Sequence, residues 1–167
     1  MGAPGRLRVA VAAPLSEENR ARLRELEPRI DLVVDQDLLP PMCWPGDFAG
    51  DPAWRRTPAR QHAYEAALDS AEALYGIPDV NPSALARTVR ENGRLRWVHT
   101  MAAGGGSQVK AAGLSSEELG RVAFTTSAGV HGQPLADSPS SACSREPKIF
   151  PASTVSSATV SGAAAGR

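Results

Sequence analysis

Between residues 7 and 125, short β-type runs alternate with segments that open on helix caps. Leu7-Arg-Val-Ala-Val-Ala12 is the first run. Ser16 follows with a capping hydroxyl, and Glu17 and Glu18 occupy the first turn, where the helix dipole favours acids. These predict a helix to Glu27, with Leu23 and Leu26 facing the core. Pro28 stops it, and Ile30–Val34 predicts a second strand. Thr57-Pro58 and Asn81-Pro82 each place a cap before a proline at the first helical position, where the missing N–H costs nothing. They predict helices to about Ser70 and Asn92, the second closed by Gly93. Ala73–Tyr75, Arg96–Thr100 and Arg121–Thr125 predict strands three to five. Ser107 predicts the cap of a short helix ending near Gly113. This alternation specifies a parallel, doubly wound α/β sheet. In such sheets ligands sit beyond the carboxyl ends of the strands.

The pattern stops near Ala136. Residues 137–167 hold only 3 of the 18 basic and 2 of the 18 acidic residues, and Ser, Ala, Pro, Gly and Thr make up 21 of those 31 positions. No periodic apolar face occurs there, so a disordered tail is expected. The whole chain has 167 residues and zero formal net charge. That balance argues against a nucleic-acid surface, which needs clustered positive charge. No apolar run reaches the roughly 20 residues of a membrane helix. The run Val9–Ala13 is shorter than the roughly 7–15 residues of a signal core. Cys43 and Cys143 are far apart and lack metal-ligand spacing, which fits a reducing, cytoplasmic setting.

The strongest local signal for chemistry is Ala103-Gly104-Gly105-Gly106-Ser107. Three glycines let backbone N–H groups approach an anion, and a helix start would add partial positive charge. The segment is neither GxGxxG nor a phosphate-binding P-loop, and a simple flexible turn is the plainer alternative. Gly76-Ile-Pro78 follows the third strand at the same predicted end. His62, His99 and His131 lack HExxH or Cys/His spacing; His62 is expected at the surface and His99 in a structural strand role. His131, in the turn Gly129–Gly132, is more simply a turn residue than a ligand contact. Arg55-Arg56 is expected to be a solvated pair, and Glu17-Glu18 and Glu117-Glu118 to be helix-start acids. Cys43 has no activating neighbour in sequence. Residues 36–56, rich in Pro, Gly and Asp, predict a long loop whose Trp44, Phe48 and Trp54 pack over a partner surface. No catalytic or metal-ligating set is predicted.

Leu95-Arg-Trp-Val-His-Thr-Met-Ala-Ala-Gly-Gly-Gly106 resembles the strand and substrate loop of D-isomer-specific 2-hydroxyacid dehydrogenases. Val122-Ala-Phe-Thr-Thr-Ser-Ala-Gly-Val-His-Gly-Gln-Pro-Leu-Ala136 resembles the element that leads into the helix crossing to the NAD domain, and Ala73-Leu-Tyr-Gly76 the strand ending near substrate. The resemblance spans residues 7–136. It implies a flavodoxin-like substrate domain in which Tyr75, Gly76, Ala103, Gly104, Gly105 and Gly106 contact the substrate, a 2-oxo acid such as glyoxylate or hydroxypyruvate. Intact relatives use NAD or NADP and are homodimers. One departure is Ser107-Gln108, where the family often has an acidic residue or Asn. A larger one is that no dinucleotide fingerprint and no Arg/Glu/His set follows, so no cofactor is expected to bind this chain and no activity is expected from it alone.

The segment after Ala136 suggests why. If one nucleotide were lost at the codon of Asp137, the original frame would read apolar residues at Ser138, Ser140, Ser141, Cys143 and Ser144, behind a restored Glu. That is the helix the resemblance implies. The expectation is therefore a truncated dehydrogenase with an out-of-frame tail, the alternatives being a natural tail and a stand-alone flavodoxin-like module that binds a small anion or a partner protein.

Overall fold

The computed structural model describes residues 5–33 and 35–130. Strands β1 (Leu7–Val11), β2 (Ile30–Val33), β3 (Ala73–Tyr75), β4 (Trp97–Thr100) and β5 (Ala123–Thr126) form one sheet in the order β2-β1-β3-β4-β5. Every pairing is parallel. Helices α1 (Glu17–Leu26), α2 (Pro58–Asp69), α3 (Pro82–Glu91), α4 (Gly106–Ala111) and α5 (Ser116–Arg121) connect them and cover both faces. The arrangement is flavodoxin-like, as the alternation of runs and caps requires. The predicted end of the second strand, Val34, and the predicted boundary near Ala136 lie outside the described residues, as do His131 and the Ser-rich segment.

The helix starts follow from local chemistry. Ser16, Thr57 and Asn81 each accept a hydrogen bond from a backbone N–H of the first turn. Pro58 and Pro82 stand just inside α2 and α3. Ser115 and Glu118 close a reciprocal capping box on α5, so both pairs of adjacent glutamates do occupy helix starts.

Three local expectations are corrected. Leu23 packs against the core, but Leu26 is 70% exposed, because α1 ends just as its second stripe position comes round. Ser107 does not cap α4. The capping position falls on Gly105, and the Ser107 hydroxyl bonds back to the Gly104 carbonyl at 2.9 Å. Gly93 does not close α3 with a left-handed turn either, since it is not among the residues with positive φ. Asn92 does the closing instead.

Successive rows of the strands face the two sides of the sheet. Ala10, Leu74, Val98 and Phe124 stand in register across four strands. Leu74 and Val98 are fully buried with Leu85, Val89 and Leu95, each such side chain contributing about 1.5–3 kcal/mol of transfer free energy. The next row, Val11, Tyr75, His99 and Thr125, points to the opposite face. This register brings the carboxyl ends of β1, β3, β4 and β5 to one edge.

One buried amide ties the connections together. Asn92 is 2% exposed. Its Nδ2 donates to the Leu68 and Ala71 carbonyls at 2.9 and 2.7 Å, and its Oδ1 accepts from the Arg94 and Leu95 N–H groups at 2.9 and 3.2 Å. The α2–β3 turn is thereby fastened to the α3–β4 turn. Arg121 adds to the seal, donating to the Asn92 carbonyl at 3.1 Å and to the Val89 carbonyl. Asn92→Ala strands buried carbonyls and N–H groups, and is expected to cost about 2–3 kcal/mol in urea unfolding at neutral pH.

Candidate functional site

The edge where the strands end carries the glycine positions. After β3 the chain turns through Gly76, whose φ of +100° is left-handed and whose amide donates to the His99 carbonyl at 2.9 Å. A Cβ at Gly76 would lie 2.8 Å from the Ala13 side chain, so only glycine lets the β3 exit pass the β1 exit. After β4 the loop Ala102–Gly105 folds onto its own strand. A Cβ at Gly105 would meet the Thr100 Oγ1 at 1.9 Å, whereas Gly104 and Gly106 have nothing within 4 Å.

The loop's hydrogen bonds decide what it can offer a ligand. The amides of Gly105 and Ser107 donate to the Ala102 and Gly104 carbonyls, each at 3.1 Å. Among the described residues, the amides of Ala103, Gly104 and Gly106 donate to no protein acceptor, and all three residues are exposed. Ala103, Gly104 and Gly106 therefore leave three backbone donors without a protein partner among the described residues. The same geometry does not fit a dinucleotide. The first-turn amides of Ser107 and Gln108 are spent inside the loop, α4 is six residues long, and Gly105 is closed off by Thr100.

Beside this turn lies a surface cleft of about 670 Å³. It is lined from the β1 exit by Pro14, Leu15 and Ser16, from β3 by Tyr75, from β4 by Met101, and from the 36–56 loop by Met42, Trp44 and Phe48. It sits where β1 and β3 adjoin and the chain's winding reverses, the usual ligand position of such sheets. Of the residues expected at the site, Tyr75 lines this cleft. Ala103, Gly104, Gly105 and Gly106 do not; they follow Met101, and Ala102 joins Met101 and Phe48 around a smaller adjoining pocket. Burial pushes the Tyr75 phenol above its ordinary range, so it stays a neutral donor.

A buried carboxylate fixes the cleft's outer wall. Asp47 is 3% exposed and accepts from the Cys43 N–H at 3.0 Å and the Ala49 and Gly50 N–H groups at 3.1 Å. The Cys43 amide first, and the Gly50 and Ala49 amides with it, hold its carboxyl below the usual aspartate range. Desolvation, then the Asp47 and Asp51 carboxylates, push the Cys43 thiol up, which leaves it protonated and unsuited to nucleophilic work.

His99 is half-buried between Tyr75 and Trp97, with ring centroids 6.1 and 6.3 Å away. Its ring nitrogens meet Thr125 Oγ1 at 2.9 Å and Ser127 Oγ at 3.2 Å. That is the structural role expected of it, and His62 is exposed as expected.

The largest departure from expectation is Arg56. Its side chain is 7% exposed, not solvated. It donates to the Leu38 carbonyl at 2.5 Å and to Asp79 at 2.7 Å, and its guanidinium lies 3.7 Å from the Tyr64 ring centroid and 5.1 Å from that of Trp54. Trp54 therefore packs within its own chain, while Trp44 remains 63% exposed. Arg56 anchors the turn after β3, where Asp79 and Val80 adopt φ of 54° and 50°. A left-handed Val is costly and is held by surrounding contacts, here Arg56 on Asp79 and Gln108 Nε2 on the Val80 carbonyl at 3.3 Å. In sequence this turn is marked only by the segment Gly76-Ile-Pro78 after the third strand.

Two outcomes check these assignments. Gly105→Ala forces the loop off Thr100 and is expected to cost about 1–3 kcal/mol by thermal unfolding, whereas Gly104→Ala is expected to be neutral. The Asp47 contribution is complete above the unfolded aspartate value, about 3.9. It is lost as pH falls below that value through the lower folded one, so acid should quench or shift Trp44 emission before the core unfolds. Asp47→Asn should remove that early step.

No family model, no curated protein and no solved structure matches the chain.

Proposed function

We propose that this domain is the substrate-binding portion of a D-2-hydroxyacid dehydrogenase. The observation that carries the reading is the set of unspent amides on Ala103, Gly104 and Gly106 at the carboxyl end of β4, beside a cleft reached by Tyr75. These amides receive the carboxylate of a 2-oxo acid. The Tyr75 phenol, held neutral, supplies a donor for an oxo or hydroxyl oxygen. Gly76 and Gly105 keep the two turns close to their neighbours without side chains in the way. Hydride would come from NAD(P)H in an intact relative. The described residues do not fit that cofactor, and no reaction step is assigned to them.

A second reading, a stand-alone module gripping a small anion, rests on the same amides and on the five-stranded parallel sheet that frames them. One experiment separates the two. The full chain, labelled with ¹⁵N, is titrated with glyoxylate and with inorganic phosphate, and NADH or NADPH oxidation is followed with each 2-oxo acid. Under the dehydrogenase reading glyoxylate shifts the Gly104 and Gly106 amides more strongly than phosphate does, and no nucleotide is oxidised. Stronger shifts with phosphate favour the module, and turnover above a no-protein blank would show that the chain itself holds the cofactor.

A further inference from the structure

The large cleft between the start of α1 and the 36–56 loop carries one sign of charge. Among the described residues that line it there is no Lys, Arg or His, and Glu18 is the one charged side chain. Glu17 is engaged by Arg20 and Arg24, whereas Glu18 has no ion-pair partner among the described residues. Cys43, also on the wall, senses the same field: desolvation first, then the Asp47 and Asp51 carboxylates, keep its thiol protonated. Asp47 is itself ionised at neutral pH, because three backbone amides gather its oxygens. A further carboxylate is disfavoured beside these groups. The amino end of α1 does not reverse the sign. Its Ser16 hydroxyl already accepts the Asn19 amide at 3.3 Å, and Glu18 stands in the first turn, where it offsets the helix dipole.

The rest of the wall suits a cation with an apolar body. Trp44, Phe48 and Tyr75 line the cleft together with Met42. Aromatic faces carry partial negative charge and attract ammonium groups, Trp most strongly. Trp44 is 63% exposed, so its ring is open to a ligand. Ammonium N–H groups also need acceptors, and the Glu18 carboxylate, the Asn19 carboxamide oxygen and the neutral Tyr75 phenol oxygen are present on the same wall. The loop bearing Trp44 is fixed from beneath by Asp47 and closed at its base by the Asp51 N–H on the Pro41 carbonyl at 2.9 Å. A wall fixed in advance loses little freedom when a ligand covers it. We infer that this cleft, of about 670 Å³, binds a small organic ammonium ion with an apolar body, the cation at Glu18 and the body against Met42 and Trp44. The site is separate from the glycine turn and stands whether or not that turn receives a 2-oxo acid.

The test uses the full chain at neutral pH and three probes that share one body and differ in the charge of the head group: 2-phenylethylamine, 2-phenylethanol and 3-phenylpropionate. Binding is followed by the Trp44 indole N–H in ¹⁵N-labelled protein. The amine is expected to bind about three- to ten-fold more tightly than the alcohol, the scale of one exposed cation–π contact and one exposed ion pair, and the acid more weakly than either. Glu18→Gln, at an exposed position, should bring the amine's Kd to that of the alcohol and leave the alcohol's unchanged. Trp44→Ala, followed by the Tyr75 amide, should weaken both. Equal Kd values for amine and alcohol, tightest binding by the acid, or no shift with any probe would overturn the inference. So would an amine Kd that Glu18→Gln leaves unmoved.

Discussion

The carboxamide of Asn92 holds the architecture at its most vulnerable point. A parallel sheet returns through a helix after each strand, and the polar ends of those helices must be satisfied inside the domain. Asn92 satisfies two carbonyls at the end of α2 and two amides before β4 with one side chain. The register of β3 against β4 depends on those two turns keeping their spacing. That register in turn brings Gly76 and the Met101–Gly105 loop to the same edge. The carboxyl edge of the sheet is thus positioned by a residue at the opposite end of the strands.

At the ligand end the construction changes character. The inner turns are made of backbone: Gly76 slips past Ala13, and Gly105 rests on Thr100. The outer wall is made of side chains on a long loop, gathered from beneath by Asp47. The turn after β3 is braced differently again, by a guanidinium layered with Trp54 and Tyr64 and paired to Asp79.

Much of this was legible from residue order. Ser16, Thr57-Pro58 and Asn81-Pro82 announced their helices because a cap acts on amides two or three positions away. The five strands were legible because their apolar runs sit between those caps. What escaped depends on distant partners. Arg56 next to Arg55 reads as a solvated pair; its burial comes from Tyr64 on α2 and from Leu38 and Asp79, which lie 18 and 23 residues away. Gly93 looked like the helix stop, yet Asn92 held the stronger claim through carbonyls more than twenty residues upstream. The glycine turn was visible as a turn, but which of its amides stay free follows from folding onto Thr100. The apolar cleft was foreshadowed only by Trp44 and Phe48, which had suggested a partner surface.

The split between a backbone-built turn and a side-chain-built wall has an evolutionary corollary. Gly76 and Gly105 admit almost no replacement, since a Cβ would collide with Ala13 at the β1 exit or with Thr100 at the end of β4. Met42 and Trp44 project from a loop whose shape is set by Asp47, Gly50 and the Pro41 carbonyl, not by their own packing. Mutation can therefore exchange the wall's residues one at a time while the glycine turn and the core stay as they are. A fold divided in this way can change the surface of its cleft without disturbing the turns that border it.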